Sequence, residues 1–234
     1  MTVVVVIIFS IVQSIFGVGL LLFGTPTLLL LGFDFEQSLW TLLPSSVAIS
    51  LYQIIEKHSL IESKKEVYLY TLPALAIGVT IVITSNDIID IKKIVGLSLL
   101  VVGAIRLFDN FRIIFEGFIK KYAKIYLVIM GGVHGVSNMG GGMLTILMSS
   151  IHARKEVIQV NVAYTYFLFG LTQLMVLGVI SDHHLFYDML KLVIISSLVY
   201  YLTKKYIAHL INDLNYQLLI TYLILIYGIL VLSD

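Results

Sequence analysis

"HGVSNMGGGMLT" occupies residues 134–145 of a 234-residue chain that is otherwise mostly Leu, Ile and Val. A histidine, a serine, an asparagine and three consecutive glycines are costly in such surroundings, because polar groups buried in an apolar medium need partners. Glycine lacks a β-carbon and adopts backbone angles that let a helix stop and restart. A restarted helix presents unpaired N–H groups and the positive end of its dipole, which together suit an anion. The stretch therefore reads as an interrupted helix that holds something polar. Close helix packing on small residues is the competing explanation for the glycines.

Composition identifies the solvent. Hydrophobic residues make up 59% of the chain and charged residues only 12%, against about 25% charged in soluble domains. So few charges cannot cover so much apolar surface in water, so the chain belongs in a bilayer. A net charge of +1 points to no acidic partner, and no nucleic acid is expected. Cysteine is absent, which excludes disulfides, thiolate metal sites and cysteine nucleophiles. The opening "MTVVVVIIFSIVQSIF" has no basic n-region and reads as the start of the mature protein rather than a signal peptide. "SDHH" (181–184) has no second cluster of ligands and reads as a solvated loop, so neither metal nor cofactor is expected.

Apolar stretches fall at roughly 1–32, 38–56, 67–85, 91–108, 123–150, 157–180, 186–203 and 214–232. Most approach the ~20 residues a helix needs to cross a bilayer. The first and fifth are too long for one upright span, and both carry glycines near the middle. "FGVGLLLFGTPT" (16–27) overlays "HGVSNMGGGMLT" at an offset of 118, matching Gly17 with Gly135 and Gly24 with Gly142. "EQSLWT" (36–41) overlays "EVIQVN" (156–161) at an offset of 120, matching Glu36 with Glu156 and Thr41 with Asn161. These matches imply an internal duplication, 1–117 and 118–234, with four hydrophobic segments in each copy.

Charge bears on how the copies are oriented. If the first and fifth stretches enter the membrane and return, twelve basic residues share one side: Lys57, Lys64, Lys65, Arg106, Arg112, Lys120, Lys121, Lys124, Arg154, Lys155, Lys204 and Lys205. Lys92, Lys93 and Lys191 remain opposite. Eight plain spans would give a weaker split of nine against six. The positive-inside rule favours the re-entrant arrangement. Each copy then has three full spans, and the second copy is inverted relative to the first, as in many secondary transporters. The expected fold is an all-α integral membrane protein of two inverted repeats, with both termini on the non-cytoplasmic side of the cytoplasmic membrane. Eight spans in parallel repeats is the alternative.

His134, Ser137, Asn138, Gly141, Gly142 and Thr145 follow steps of three or four, so they share a face while the helix lasts. Polar groups inside a membrane segment are candidates for function. His134 could touch the substrate or carry a proton, or simply be a satisfied packing residue. Gln13 is a comparable polar residue one turn before Gly17. Thr41 and Asn161, duplicated polar positions inside apolar helices, are read as site residues. Ser45 and Ser46 follow Pro44, and local compensation of the loosened backbone is the favoured role for Ser46. Glu36 and Glu156 are read as helix N-terminal caps. Most tyrosines read as interface anchors or packing, with Tyr164 or Tyr166 able to line a cavity. The substrate-binding set is thus Gln13, Gly17, Gly24, Thr25, Thr41, His134, Ser137, Asn138, Gly140, Gly141, Gly142 and Asn161. Amides near Gly24–Thr25 and Gly140–Gly142 would hold the ion by dipoles, since no Arg or Lys lies deep in these motifs.

With these motifs in view, the chain resembles the sulfite exporter family, the TauE/SafE-type permeases. The second copy carries the resemblance better, with "SNMGGGMLTILMSS" followed by "KEVIQVN". The first keeps "FGVG" and "FGTPTLLLLG" but has Leu22 and Phe23 where the second has Gly140 and Gly141. The resemblance implies a permease for a small anion such as sulfite, thiosulfate or a sulfonate, with the second repeat supplying more contacts. The expected partners are that anion and the lipid bilayer, and the oligomeric state, monomer or homodimer, stays open. A channel for a neutral solute and a non-catalytic membrane subunit are the alternatives. An intramembrane enzyme is disfavoured, because there is no paired aspartate motif, HExxH or GxSxG.

Overall fold

The computed structural model describes residues 1–62, 65–85, 90–181, 186–207 and 213–233. Among these residues there is no strand. Two helices stop inside the protein and fold back. α1 (Thr2–Phe16) ends at Gly17, whose positive φ of 79° is left-handed and whose amide donates to the Gln13 carbonyl. The chain restarts as a π-helical turn (Leu20–Gly24) that runs into α2 (Thr25–Leu30). α7 (Ala123–Ser137) ends in the same way at Asn138, with φ 63° and its amide on the His134 carbonyl, and α8 (Gly140–Ile151) follows. Asn138 is the one non-glycine residue with positive φ among those described. Asparagine tolerates this conformation better than other non-glycine residues.

This corrects the expected role of the glycine triplet. Asn138 makes the turn, and Gly140–Gly142 form the first turn of the next helix. The polar stripe from His134 to Thr145 is accordingly not one helical face. The match at an offset of 118 also misses the helix ends. α1 and α7 match end for end at an offset of 121, which sets Gly17 against Asn138 and Gln13 against His134. Gly135, matched to Gly17 from the sequence, lies within α7.

Contacts across each turn show the fold-back. The Tyr126 hydroxyl, near the start of α7, donates to the Met143 carbonyl in α8 at 2.7 Å. In the first copy the rings of Phe9 and Phe23 stack 6.1 Å apart. At ~1.5 Å per residue, a 15-residue helix reaches only about 22 Å, short of the ~30 Å hydrocarbon layer.

The remaining helices are α3 (Phe35–Glu56), α4 (Leu72–Thr84, continuing a π turn at Val67–Thr71), α5 (Ile91–Leu107), α6 (Asp109–Lys121), α9 (Lys155–Ile180), α10 (Phe186–Tyr206) and α11 (Asp213–Ser233). Three stretches are long and apolar enough to cross a membrane: Phe35–Glu56, Val67–Thr84 and Lys155–Ile180. Outward faces stay apolar, with Val179 at 85% and Leu69 at 67% exposure, as expected where lipid is the solvent. The charged stretch 106–124, which reads as a break in the sequence, instead contains α6. Its Phe111, Ile113 and Ile114 are exposed beside Arg112 and Lys120. "SDHH" lies, apart from Ser181, outside the described residues.

Helices of one half pack on those of the other: α4 along α7, α1 along α10, α3 against α9 and α5 against α11. At one end the charged segments meet. Lys57 pairs with Glu156 at 3.3 Å, Lys204 with Glu56 at 3.1 Å, and His152 approaches Glu62 at 3.8 Å. Elsewhere the Trp40 indole donates to the Ser181 hydroxyl at 3.0 Å, and Glu36 accepts from that same hydroxyl.

The α4–α7 crossing is set by glycine. A β-carbon on Gly131 would lie 2.2 Å from the Thr71 carbonyl, and one on Gly135 would lie 2.4 Å from that of Leu75. Adjacent Gly132 has nothing within 4 Å. Overpacking costs about 1–3 kcal/mol, whereas Gly→Ala in a free helix position gains up to ~1 kcal/mol. Gly131→Ala should therefore lower the thermal midpoint of the detergent-solubilised protein, and Gly132→Ala should hold or raise it, as followed by circular dichroism.

Candidate functional site

At the first turn Gln13 is the central hydrogen-bonding side chain. The Gln13 carboxamide oxygen accepts from the Leu20 amide at 3.2 Å, filling a position that the restarted helix leaves open, and from the Ser46 hydroxyl at 3.1 Å. Its nitrogen donates to the Ser46 carbonyl (2.9 Å) and the Ser50 hydroxyl (3.2 Å). Gln53, a turn further along α3, donates to the carbonyls of Gln13 (3.0 Å) and Ser14 (3.3 Å). Ser46 thus serves the turn itself, beyond the local backbone role expected for it.

The second turn has equivalent positions with a different outcome. Gln173 of α9 matches Gln53 at an offset of 120, and its nitrogen donates to the Asn138 side-chain oxygen at 2.7 Å. The Asn138 nitrogen in turn donates to the Thr25 hydroxyl at 2.9 Å, tying the second turn to the first hairpin. His134 stands where Gln13 stands in the first copy. It is fully buried, with its ring 4.6 Å from Phe169 and 5.5 Å from Tyr166. By hydrogen-bond geometry neither ring nitrogen has a partner, nor do the Tyr166 hydroxyl and the Gln173 side-chain oxygen, although the Gln173 side chain lies beside the imidazole and the Leu22 backbone beside the Tyr166 hydroxyl. That hydroxyl would sit 3.0 Å from a β-carbon on Gly141, so it lies against the first turn of α8.

The backbone adds donors. Among the described residues, the amides of Gly140 and Gly141 have no acceptor, while that of Gly142 reaches the Met139 carbonyl at 3.2 Å. The Thr25 amide is taken by the Leu21 carbonyl and the Gly17 amide by Gln13. Of the amides expected to be available, those of Gly140 and Gly141 remain. A buried N–H without a partner is uncommon. Here two of them lie beside a tyrosine O–H and an imidazole that carries an N–H in either tautomer. The arrangement can accept a compact hydrogen-bond acceptor, and the 12-residue α8 directs its positive dipole end toward it.

The sequence-derived residues divide in two. Gln13, Gly17, Thr25, His134, Asn138, Gly140 and Gly141 lie at or between the two turns. Ser137 closes its own turn, donating to the Val133 carbonyl and accepting from the Met139 amide. Gly24 lies within continuous helix against Leu42, and Gly142 faces Val102. Thr41 and Asn161 are not brought to the turns. Thr41 bonds to the Gln37 carbonyl within α3. Asn161 pins the 60–62 segment, accepting from the Glu62 amide and donating to the Leu60 carbonyl. Gln53, Gln173 and Ser50 carry no signal in the motifs. All three lie far along their helices, and only an alignment at an offset of 120 would have paired the two glutamines.

Three cavities flank this region. Two hold about 510 and 600 Å³, and a third of about 20 Å³, room for a single water, lies beside Ser14 and Gln53. None of the three is lined by Asn138, Gly140, Gly141 or Tyr166. The side chains of Gln13, Thr25, His134 and Asn138 are buried.

Comparison with curated proteins and with solved structures returns no match. A protein-family model described as "Sulfite exporter TauE/SafE" matches residues 2–231. With nearly the whole chain matched and the helices arranged as described, the protein is a membrane transporter belonging to the sulfite exporter TauE/SafE family.

Proposed function

We propose that this protein carries a small oxyanion, of the sulfite, thiosulfate or sulfonate class, across the cytoplasmic membrane. The ion is held at the second turn by the amides of Gly140 and Gly141, the Tyr166 hydroxyl and His134. Asn138, fixed by Gln173 and Thr25, shapes the pocket. The observation that carries this reading is the group of buried polar atoms without partners, gathered where the two hairpins meet. Dipoles and neutral donors hold an anion without a counter-charge, and this favours release as well as capture.

In this reading residues 1–117 and 118–234 are inverted repeats, and the two hairpins are re-entrant from opposite faces. The reciprocal packing of α4 on α7 and α1 on α10 supports a two-fold relation between the halves. The charged segments gathered at one end support a cytoplasmic face there. Alternating access would rock one half against the other about the closed interior.

Flux of labelled sulfite, thiosulfate and a sulfonate into proteoliposomes tests the site. A hydrogen bond to an ionic group is worth about 1.5–3 kcal/mol, so losing one donor should slow flux by roughly ten- to a hundredfold. Tyr166→Phe and Asn138→Ala are expected to do so, with Gly178→Ala, far from any neighbour, as the active control. Undiminished flux in both variants would move the site elsewhere. A separate experiment addresses the proton. If His134 carries it, His134→Gln should abolish the response of uptake to an imposed pH gradient while exchange of labelled for unlabelled sulfite, slowed by the altered contact, persists. A pH response that persists in that variant would remove His134 from proton coupling.

A further inference from the structure

We propose that the cleft where α6, α7 and the end of α8 meet the stretch leading into α4 holds an anionic phospholipid. Its phosphate lies on Lys65 and Lys120, and an acyl chain follows the apolar side. The cleft has a volume of about 600 Å³, within the ~300–1,000 Å³ usual for ligand sites. Its buried side is formed by Val67, Ile119, Leu127, Leu147 and Met148, and Ile151 continues it outward at 42% exposure. Lys65, Glu66 and Lys120 line the exposed side.

Charge and apolar surface are separated here as they are in a lipid. Among the described residues neither Lys65 nor Lys120 joins an ion pair. Glu66 is the one carboxylate among the described lining residues, so the two ammoniums leave a positive balance. The neighbouring carboxylates face other cations: Glu62 lies 3.8 Å from His152 and Glu116 lies 3.8 Å from Arg112. Lys121 and Lys124 add positive charge at the α6–α7 junction, over the rings of Tyr122 (5.1 Å) and Tyr70 (5.6 Å). A small oxyanion would leave the apolar side uncovered, and a neutral lipid would leave the lysines unanswered. A peptide would bring backbone N–H and C=O groups against side chains that cannot pair with them.

The α6 helix sets the depth. Its exposed Phe111, Ile113 and Ile114 share a short helix with Arg112, Lys120 and Lys121, the pattern of a helix lying in the membrane interface. Lysines at its end are placed at the level of lipid phosphates. The bound lipid braces the second hairpin, because Leu147, Met148 and Ile151 belong to the last two turns of α8. Phe115 of α6 packs edge-on against the Tyr126 ring at 5.5 Å, and the Tyr126 hydroxyl holds the Met143 carbonyl of α8. A lipid in the cleft thus steadies the helix whose first turn carries the Gly140 and Gly141 amides. Its effect on flux rests on the transport reading above, whereas the lipid site does not.

Native mass spectrometry of the protein in a neutral detergent, titrated with phosphatidylglycerol or phosphatidylcholine of the same acyl chains, measures the binding. Phosphatidylglycerol should bind tighter and raise the thermal midpoint. Lys65→Gln combined with Lys120→Gln should weaken it roughly ten- to thirtyfold, and the corresponding pair of Lys→Arg changes should keep it within about threefold. Ala123→Trp, at an exposed position in the lining, fills the cleft and should weaken binding at least about tenfold. Lys191→Gln, exposed on α10, should leave it unchanged. Equal binding of the two lipids, or binding indifferent to both lysines, would overturn the site. Inorganic phosphate binding as tightly as phosphatidylglycerol would make it a plain anion site, and a dimer dispersed by Ala123→Trp would make the occupant a second copy; either result overturns the assignment. In proteoliposomes, sulfite flux should be faster with phosphatidylglycerol than with phosphatidylcholine alone, and the paired Lys→Gln changes should remove that difference. Flux indifferent to a lipid that binds would overturn the bracing role. Lysine-dependent lipid binding in a protein that moves no anion in either lipid leaves the site standing and removes the transport reading.

Discussion

A helix that stops in a buried interior leaves its terminal amides without water, and something must cover them. The structure depends on this constraint in two places, at Gly17–Gly19 and at Asn138–Gly140. The long helices α3 and α9 run past the turns and bring side chains to them. At the first turn Gln13 reaches its own restarted helix, and Ser46, Ser50 and Gln53 hold Gln13 in place. In the second, Gln173 and Thr25 secure the Asn138 side chain, while two glycine amides, an imidazole and a phenol are left without partners.

In the proposed reading the donors of the second turn are offered to the ion inside the protein. The closing contacts on the charged face, Lys57–Glu156 and Lys204–Glu56, are partly exposed pairs. Such pairs are worth little individually, so opening that end would meet a small barrier. The glycine crossing of α4 on α7 has backbone against backbone and would move as one body.

Much of this was legible in the residues. The apolar composition required lipid, and the two overlong stretches implied interrupted helices. The turn residue was not legible, because glycine marks tight packing as readily as a turn. Gly131 and Gly135 serve the α4 crossing, and Asn138 turns the chain. The glycine match therefore lies three residues out of the register in which α1 and α7 end. Thr41 and Asn161 looked like a duplicated site because both copies need polar groups near helix starts. Gln53 and Gln173 were missed because a single glutamine on a long helix carries no pattern until its partner in space is known. α6 was hidden because its charges read as a loop, whereas its apolar residues recur at helical spacing.

The central claim is that the Gly140 and Gly141 amides are donors to the transported ion. The chain has 17 glycines, few enough for selective ¹⁵N-glycine labelling and amide spectra of the protein in nanodiscs. Added sulfite should shift the Gly140 and Gly141 resonances saturably, at concentrations that also saturate flux, and leave those of Gly132 and Gly178 in place. Active transport with both resonances unmoved would contradict the account.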